Sequence, residues 1–264
     1  VERVVRREAH AKINRWLRVL GRRPDGYHEI DSLVVPVSLT DEVTVRSAPE
    51  FRLSVRGELA DNVPLDEDNL VVRAARALAQ ALDTDAAAEI ELTKRIPIAA
   101  GLGGGSADAA ATLLALDELW GTSIDGDALM AIGAEVGSDV PALLHGGAVR
   151  IRGRGEIVEP AEGGELWLVL VPQDFGVAVG DAYGWWEEDG SAAAGDGTTN
   201  DLEAPVLARY PEVVAARDRL VAEGAIETIM CGSGPTMAGF ARSEADARRI
   251  AEAVPGSIPV AAPP

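Results

Sequence analysis

The stretch Lys94-Arg95-Ile96-Pro97-Ile98-Ala99-Ala100-Gly101-Leu102-Gly103-Gly104-Gly105-Ser106-Ala107-Asp108-Ala-Ala-Ala-Thr112-Leu-Leu sets four glycines within five positions between two segments of different periodicity. Before it, Ala88, Ile90 and Leu92 alternate with Glu89, Glu91 and Thr93, which is the pattern of a half-buried strand. After it, Ala107 to Trp120 is rich in Ala and Leu and predicts a helix. A glycine loop that opens a helix is a phosphate cradle. First-turn N–H groups and the positive end of the helix dipole meet there, and glycine lets a phosphate chain reach the backbone. Two commoner glycine loops do not match. The Walker pattern ends in Gly-Lys-Ser/Thr, and here Gly105 is followed by Ser106-Ala107; the dinucleotide fingerprint needs Gly or Ala where Ser106 stands. A plain turn packing a helix on a sheet is the other reading, but four glycines cost more conformational entropy than such a turn requires.

The 264 residues are 47% hydrophobic and only 4% aromatic, enough for a large core of Ala, Val, Leu and Ile in one large or two modest domains. The formal charge of -19 argues against nucleic-acid or anionic-membrane partners, so an anionic substrate needs a locally positive pocket. Cys231 is the single cysteine, which excludes an internal disulfide and a thiolate zinc cluster and suits a reducing cytoplasm. The charged start and the lack of a long apolar run lead us to expect a soluble, unprocessed, cytoplasmic protein. His10, Tyr27-adjacent His28 and His145 show no metal-ligand spacing.

Among 24 Lys plus Arg, only Lys12 and Lys94 are lysine. A lysine kept in Ala11-Lys12-Ile13-Asn14 in an arginine-rich chain points to a compact, flexible ammonium, and Lys94 borders the loop. Periodicity predicts strands at Val4 to Asn14, Ile30 to Val37, Glu42 to Ser47, Phe51 to Arg56 and Leu166 to Val171, and a strand pair over Gly147 to Ile157. It predicts helices at Asn69 to Leu82, Ala107 to Trp120, Asp127 to Val136, Asp181 to Glu187 and Ala204 to Glu223. Gly190 to Thr199 reads as a low-complexity surface loop. Near the C-terminus, strands at Glu227 to Cys231 and Thr236 to Ala241 flank Gly232-Ser233-Gly234-Pro235. Ser243 with Asp246 forms a capping-box pattern for a helix to Val254, and Ile258 to Ala261 closes a sheet. The predicted whole is α+β, with a break near residue 162 dividing domains 1–162 and 163–264.

Ala11-Lys12-Ile13-Asn14, Ile96 to Ala107 and Gly232-Ser233-Gly234-Pro235 together resemble the three motifs of the GHMP kinase superfamily. Gly21-Arg-Arg-Pro-Asp-Gly-Tyr27-His28-Glu29, Gly137-Ser-Asp139-Val-Pro141, Gly146-Gly147 with Gly153-Arg-Gly-Glu156, and Asn200-Asp201-Leu202 resemble its branch acting on a cytidine-diphosphate-linked methylerythritol. The resemblance implies a ribosomal-protein-S5-like N-terminal domain and a ferredoxin-like α/β C-terminal domain. It also implies ATP and magnesium as cofactors, a small-molecule substrate phosphorylated on its 2-hydroxyl in non-mevalonate isoprenoid synthesis, and a monomer or homodimer.

The resemblance assigns ATP to Pro97, Ile98, Ala99, Ala100, Gly101, Leu102, Gly103, Gly104, Gly105, Ser106 and Ala107. Ser106 is a contact for the phosphates or the magnesium, or simply a helix cap. Asp139 matches the catalytic aspartate that accepts the substrate proton, with Lys12 keeping it ionised. Read alone, Asp139 also suits the cap of a short helix starting at Pro141. Asn14 shares a strand face with Lys12 and would orient the substrate. Tyr27, His28 and Tyr183 match the cytosine subsite, and Gly232, Ser233 and Gly234 the third motif. His10, Arg15, Trp16 and Val179 depart from the family's residues, and Gly184-Trp-Trp-Glu-Glu-Asp-Gly190 has no counterpart in it. Another GHMP small-molecule kinase acting on mevalonate, homoserine or a sugar, and a non-catalytic binding paralogue, are the alternative readings.

Overall fold

The computed structural model describes residues 3–190 and 199–262. Two long strands, β1 (Val4–Arg22) and β2 (His28–Arg46), pair with each other and are joined by a tight turn. The turn follows from its residues: Gly26 takes φ +87°, Asp25 Oδ1 accepts Tyr27 N–H at 3.1 Å, and Arg23 N–H reaches the Tyr27 carbonyl at 2.7 Å. The chain divides into two compact units, the first built from Val1–Ala11, Leu39–Ile98 and Gly103–Gly146, the second from Lys12–Ser38, Ala99–Leu102 and Gly147–Pro264.

In the first unit, β2 pairs antiparallel with β4 (Glu89–Thr93), setting Val43 opposite Leu92 and Val45 opposite Ile90. The short β3 (Arg52–Arg56) runs parallel to β4. Val43, Val45, Ile90 and Leu92 are fully buried beneath helices α1 (Leu70–Ala81), α2 (Gly104–Trp120), α3 (Gly126–Val136) and α4 (Val140–His145). Asn69 caps α1 by accepting Val71 N–H at 2.9 Å. α2 is buried on most of its circumference, and its alanines let α1 and α4 approach it closely.

In the second unit, β2 pairs antiparallel with β5 (Val149–Gly153), and β5 with β6 (Ile157–Pro160). A separate antiparallel sheet has the order β10 (Ile258–Ala262), β7 (Leu166–Val171), β9 (Met237–Ala241), β8 (Glu227–Met230). Helices α5 (Val179–Glu188), α6 (Glu203–Arg209) and α7 (Pro211–Ala222) link β7 to β8, and α8 (Glu244–Ala253) links β9 to β10. α7 lies against β8 and β9, and α8 against β7, β9 and β10. That order and connectivity are the ferredoxin-like βαββαβ arrangement.

Three expectations on element bounds change. The single helix over Ala204 to Glu223 is two, because Pro211 pushes Tyr210 into an extended conformation at φ -125°, ψ 93°. α2 begins at Gly104, three residues before the expected Ala107. The strands of the first hairpin run well past Asn14 and fuse Ile30 to Val37 with Glu42 to Ser47. Ser243 does cap α8, accepting Asp246 N–H at 3.2 Å. Of the expected loop at Gly190 to Thr199, residues 191–198 lie outside the described residues.

Candidate active site

In the second unit, the sequence-predicted Lys12 and Asn14 sit on β1 and are 4% and 3% exposed. Lys12 Nζ donates to Asn14 Oδ1 at 2.8 Å, Asn14 Nδ2 donates to Ser32 Oγ at 2.8 Å, and Ser32 Oγ donates to the Trp16 carbonyl at 2.6 Å. The relay holds the ammonium and the amide in one orientation and leaves no polar end of Asn14 idle. Ser32 was not singled out by its sequence; its place is set by β1–β2 pairing, which no local pattern encodes.

The loop and the third glycine motif meet on the same structure. Lys12 N–H donates to the Leu102 carbonyl at 2.9 Å, which ties β1 to the loop. Gly101 has φ +76°, and a β-carbon there would stand 2.0 Å from the Cys231 carbonyl oxygen, so only glycine fits. At Gly232, φ +53°, a β-carbon would stand 3.0 Å from Lys12 Nζ and 3.4 Å from Asn14 Oδ1. Asn200 fastens this turn: Nδ2 donates to the carbonyls of Met230 at 2.8 Å and Gly232 at 2.7 Å, while Oδ1 accepts Leu202 N–H at 2.9 Å. Ser233 is half-buried and Gly234 buried. Burial pushes the Cys231 thiol up to about 12 against the pull of Lys12, so it is no nucleophile near neutral pH.

In the first unit, α2 starts on Gly103 in the left-handed region, and no side chain caps it. Its first-turn amides have no acceptor within the helix. Gly105 is exposed and has only Leu70 Cδ1, at 3.7 Å, near the place of a β-carbon. A β-carbon at Gly137 would stand 3.7 Å from both Ser106 Oγ and Leu70 Cδ1, so the segment carrying Asp139 lies against the start of α2. Asp139 occupies the N-cap position of α4, but its side chain makes no capping hydrogen bond. Of the remaining loop residues, Ile98 and Ala99 are exposed, with Ala99 at φ +53°, and Pro97 is half-buried. Ala100, Leu102 and Ala107 are buried, so their side chains pack the interior and offer a ligand only backbone groups.

Lys94 anchors the base of the loop. Its Nζ lies 2.5 Å from Asp41 Oδ2 and 2.7 Å from Asp108 Oδ2, and all three groups are buried. Asp41 Oδ1 also accepts Arg95 N–H and Ile96 N–H, at 2.5 and 2.9 Å. Two carboxylates share one ammonium. Burial therefore raises the Asp108 carboxyl to about 7, Lys94 opposing and Asp41 adding to the rise. Sequence reasoning marked Lys94 by its rarity and its place beside the loop, and gave no sign of its two partners.

The expected base-binding residues form a separate cluster in the second unit. His28 stacks on Tyr183 with ring centroids 4.6 Å apart, and the Arg154 guanidinium lies 5.1 Å over the Tyr27 ring. Tyr27 is 51% exposed and available to a ligand. His10 and His145 are exposed and lie outside this cluster. No helix of the described residues is long and apolar enough to cross a membrane.

Fold, glycine loop and buried lysine define a class of small-molecule phosphotransferases, and comparison with known families agrees. The family described as "GHMP kinases N terminal domain" matches residues 69–147, and "GHMP kinases C terminal" matches residues 186–259. A 4-diphosphocytidyl-2-C-methyl-D-erythritol kinase of Cereibacter sphaeroides is 42% identical, over 95% of this chain and 94% of that protein. One of Symbiobacterium thermophilum is 37% identical, over 94% of each. A crystal structure of 4-(cytidine 5'-diphospho)-2C-methyl-D-erythritol kinase superposes with a TM-score of 0.81 at 33% identity, over 98% of this chain and 100% of that one. The chain belongs to the GHMP kinases and, among them, to the family of these 4-diphosphocytidyl-2-C-methyl-D-erythritol kinases. It is an ATP-dependent phosphotransferase of α+β fold.

Proposed function

We propose that the chain transfers the γ-phosphoryl group of ATP to the 2-hydroxyl of 4-diphosphocytidyl-2-C-methyl-D-erythritol, a step of non-mevalonate isoprenoid synthesis. The observation that carries the choice of acceptor is the His28–Tyr183 stack beside the exposed Tyr27, an aromatic and imidazole cluster suited to a pyrimidine. Kinases of mevalonate or homoserine have no base to place there.

In this reading the phosphates rest on the uncapped amides of Gly104, Gly105 and Ser106, where the helix dipole favours anions. Asp139, which matches the position of the catalytic aspartate, accepts the proton of the attacking hydroxyl. Lys12, oriented through Asn14, offsets charge on the transferring group. Gly232, Ser233 and Gly234 shape the surroundings of Lys12. Among the described residues no group of three or more His, Cys, Asp or Glu side chains is arranged to hold a metal ion. That donor set suits magnesium carried on the phosphates, with Ser106 Oγ as a protein oxygen, rather than a protein cage. Magnesium would neutralise phosphate charge in the loose transition state.

The test is ADP release with the cytidylylated acceptor and with its uncytidylylated polyol phosphate. We expect turnover on the first alone. Asp139→Asn is expected to lower kcat about 10²–10⁴-fold, the range of general-base contributions. Equal rates for the variant and the parent would overturn the role of Asp139, and equal turnover of the two acceptors would overturn the substrate.

A further inference from the structure

The segment Gly184 to Gly190, without counterpart in the sequence resemblance, holds one wall of the proposed base subsite. Tyr183, Trp186 and Glu187 are spaced i, i+3 and i+4 on α5 and therefore share a face. All three meet His28. Tyr183 stacks on the imidazole at 4.6 Å, Trp186 meets it edge-on at 5.9 Å and 90°, and Glu187 Oε1 lies 2.9 Å from Nε2. The His28 side chain is 12% exposed, and that of Glu187 is 34% exposed. Glu187 also reaches Arg22, at 3.4 Å, on the end of β1.

A carboxylate only accepts hydrogen bonds, so the nitrogen facing Glu187 is the one that carries the proton. A neutral imidazole donating from Nε2 has Nδ1 as its acceptor. We propose that Glu187 is a positioning residue for nucleobase recognition, holding His28 against Tyr183 in the Nε2–H form through this hydrogen bond. The proposal rests on the reading that Tyr27, His28 and Tyr183 receive the pyrimidine. One carboxylate thus joins the β1–β2 turn to α5. Without it the ring rotates and exchanges tautomers, and the acceptor loses an ordered partner before binding.

The first measurement needs no variant. Nitrogen NMR of the imidazole at pH 8, above the ordinary histidine range, should show His28 protonated on Nε2. An Nδ1–H form would overturn the proposal. Steady-state kinetics follow on Glu187→Ala, Glu187→Gln, His28→Ala and the double variant. Glu187→Ala should raise the KM of the cytidylylated acceptor roughly 10-fold, with kcat at saturation and the KM of ATP changed less than about 2-fold. Glu187→Gln, which retains an acceptor oxygen, should recover most of the loss. In the His28→Ala background, Glu187→Ala should add nothing. Additive losses, an unchanged acceptor KM, or an unchanged tautomer in Glu187→Ala would overturn the positioning role. If His28→Ala and Tyr183→Ala themselves leave the acceptor KM unchanged, the base reading fails instead, and the two failures are distinguishable.

Discussion

Replacing Lys94 by Met keeps the length of the side chain and removes the one cation between Asp41 and Asp108. Both carboxyl groups are buried, at 0% and 3% exposure, and the ammonium lies within 2.7 Å of each. Breaking a buried ion pair by deleting one partner costs about 3–5 kcal/mol, since the remaining charge stays desolvated. For a chain of this size that corresponds to a melting temperature lower by roughly 6–20 °C. The dependence on pH carries a definite sign. The Asp108 carboxyl is raised to about 7 from its ordinary value of 3.8, so between those values the folded state holds the extra proton. Stability from this group is present below the unfolded value and is lost as pH rises through the folded one. Without Lys94 the carboxyl is harder still to ionise, so the deficit of the variant should be larger at pH 8 than at pH 5. Urea unfolding of parent and variant at the two pH values measures it. A deficit under about 1 kcal/mol at pH 8, within the range of an exposed pair, or a larger deficit at pH 5, would refute the reasoning.

Two further substitutions separate packing from ligand binding. Gly101→Ala should destabilise the protein by at least about 2 kcal/mol in urea unfolding, because its β-carbon meets the Cys231 carbonyl at 2.0 Å and φ is +76°. Gly105→Ala has no such clash and sits in a helix. It should keep or raise the melting temperature by helix propensity, worth up to about 1 kcal/mol, while the KM of ATP rises because a methyl group now stands in the phosphate cradle. An unchanged KM would remove Gly105 from the nucleotide site. Asn200→Ala leaves the Met230 and Gly232 carbonyls without their donor and should cost about 2–4 kcal/mol in the same unfolding assay. A loss below about 1 kcal/mol would show that the Asn200 clamp is dispensable.

Elements with a strong period were legible along the chain. β4 reads as alternation, α1 as an apolar stripe behind its Asn69 cap, and α8 as a helix opened by Ser243. Misread bounds have local and long-range causes. Pro211 broke a helix that apolar spacing alone carried through, and a stricter reading of residue 210 before proline would have found it. The early start of α2 is tertiary. A β-carbon at Gly104 would stand 2.9 Å from Ile96 Cγ2, so the low helix propensity of Gly104 is offset by close packing that nothing nearby in sequence announces.

The sequence by itself determined the chemistry offered to a ligand: the glycine loop ahead of a helix, the rare lysine of Ala11-Lys12-Ile13-Asn14, the Pro-Asp-Gly turn before Tyr27-His28, and a net charge of -19 that argues against nucleic-acid partners. These are short-range facts, because turn geometry, periodicity and net charge depend on neighbouring residues or on none. Tertiary structure alone decided which groups hold that chemistry in place. Ser32 behind Asn14, Asn200 under Gly232, Asp41 and Asp108 around Lys94, and Glu187 on His28 are separated from their partners by 14 to 159 positions. Their pairing follows from strand register and helix docking, which bring together polar groups that lie far apart along the chain.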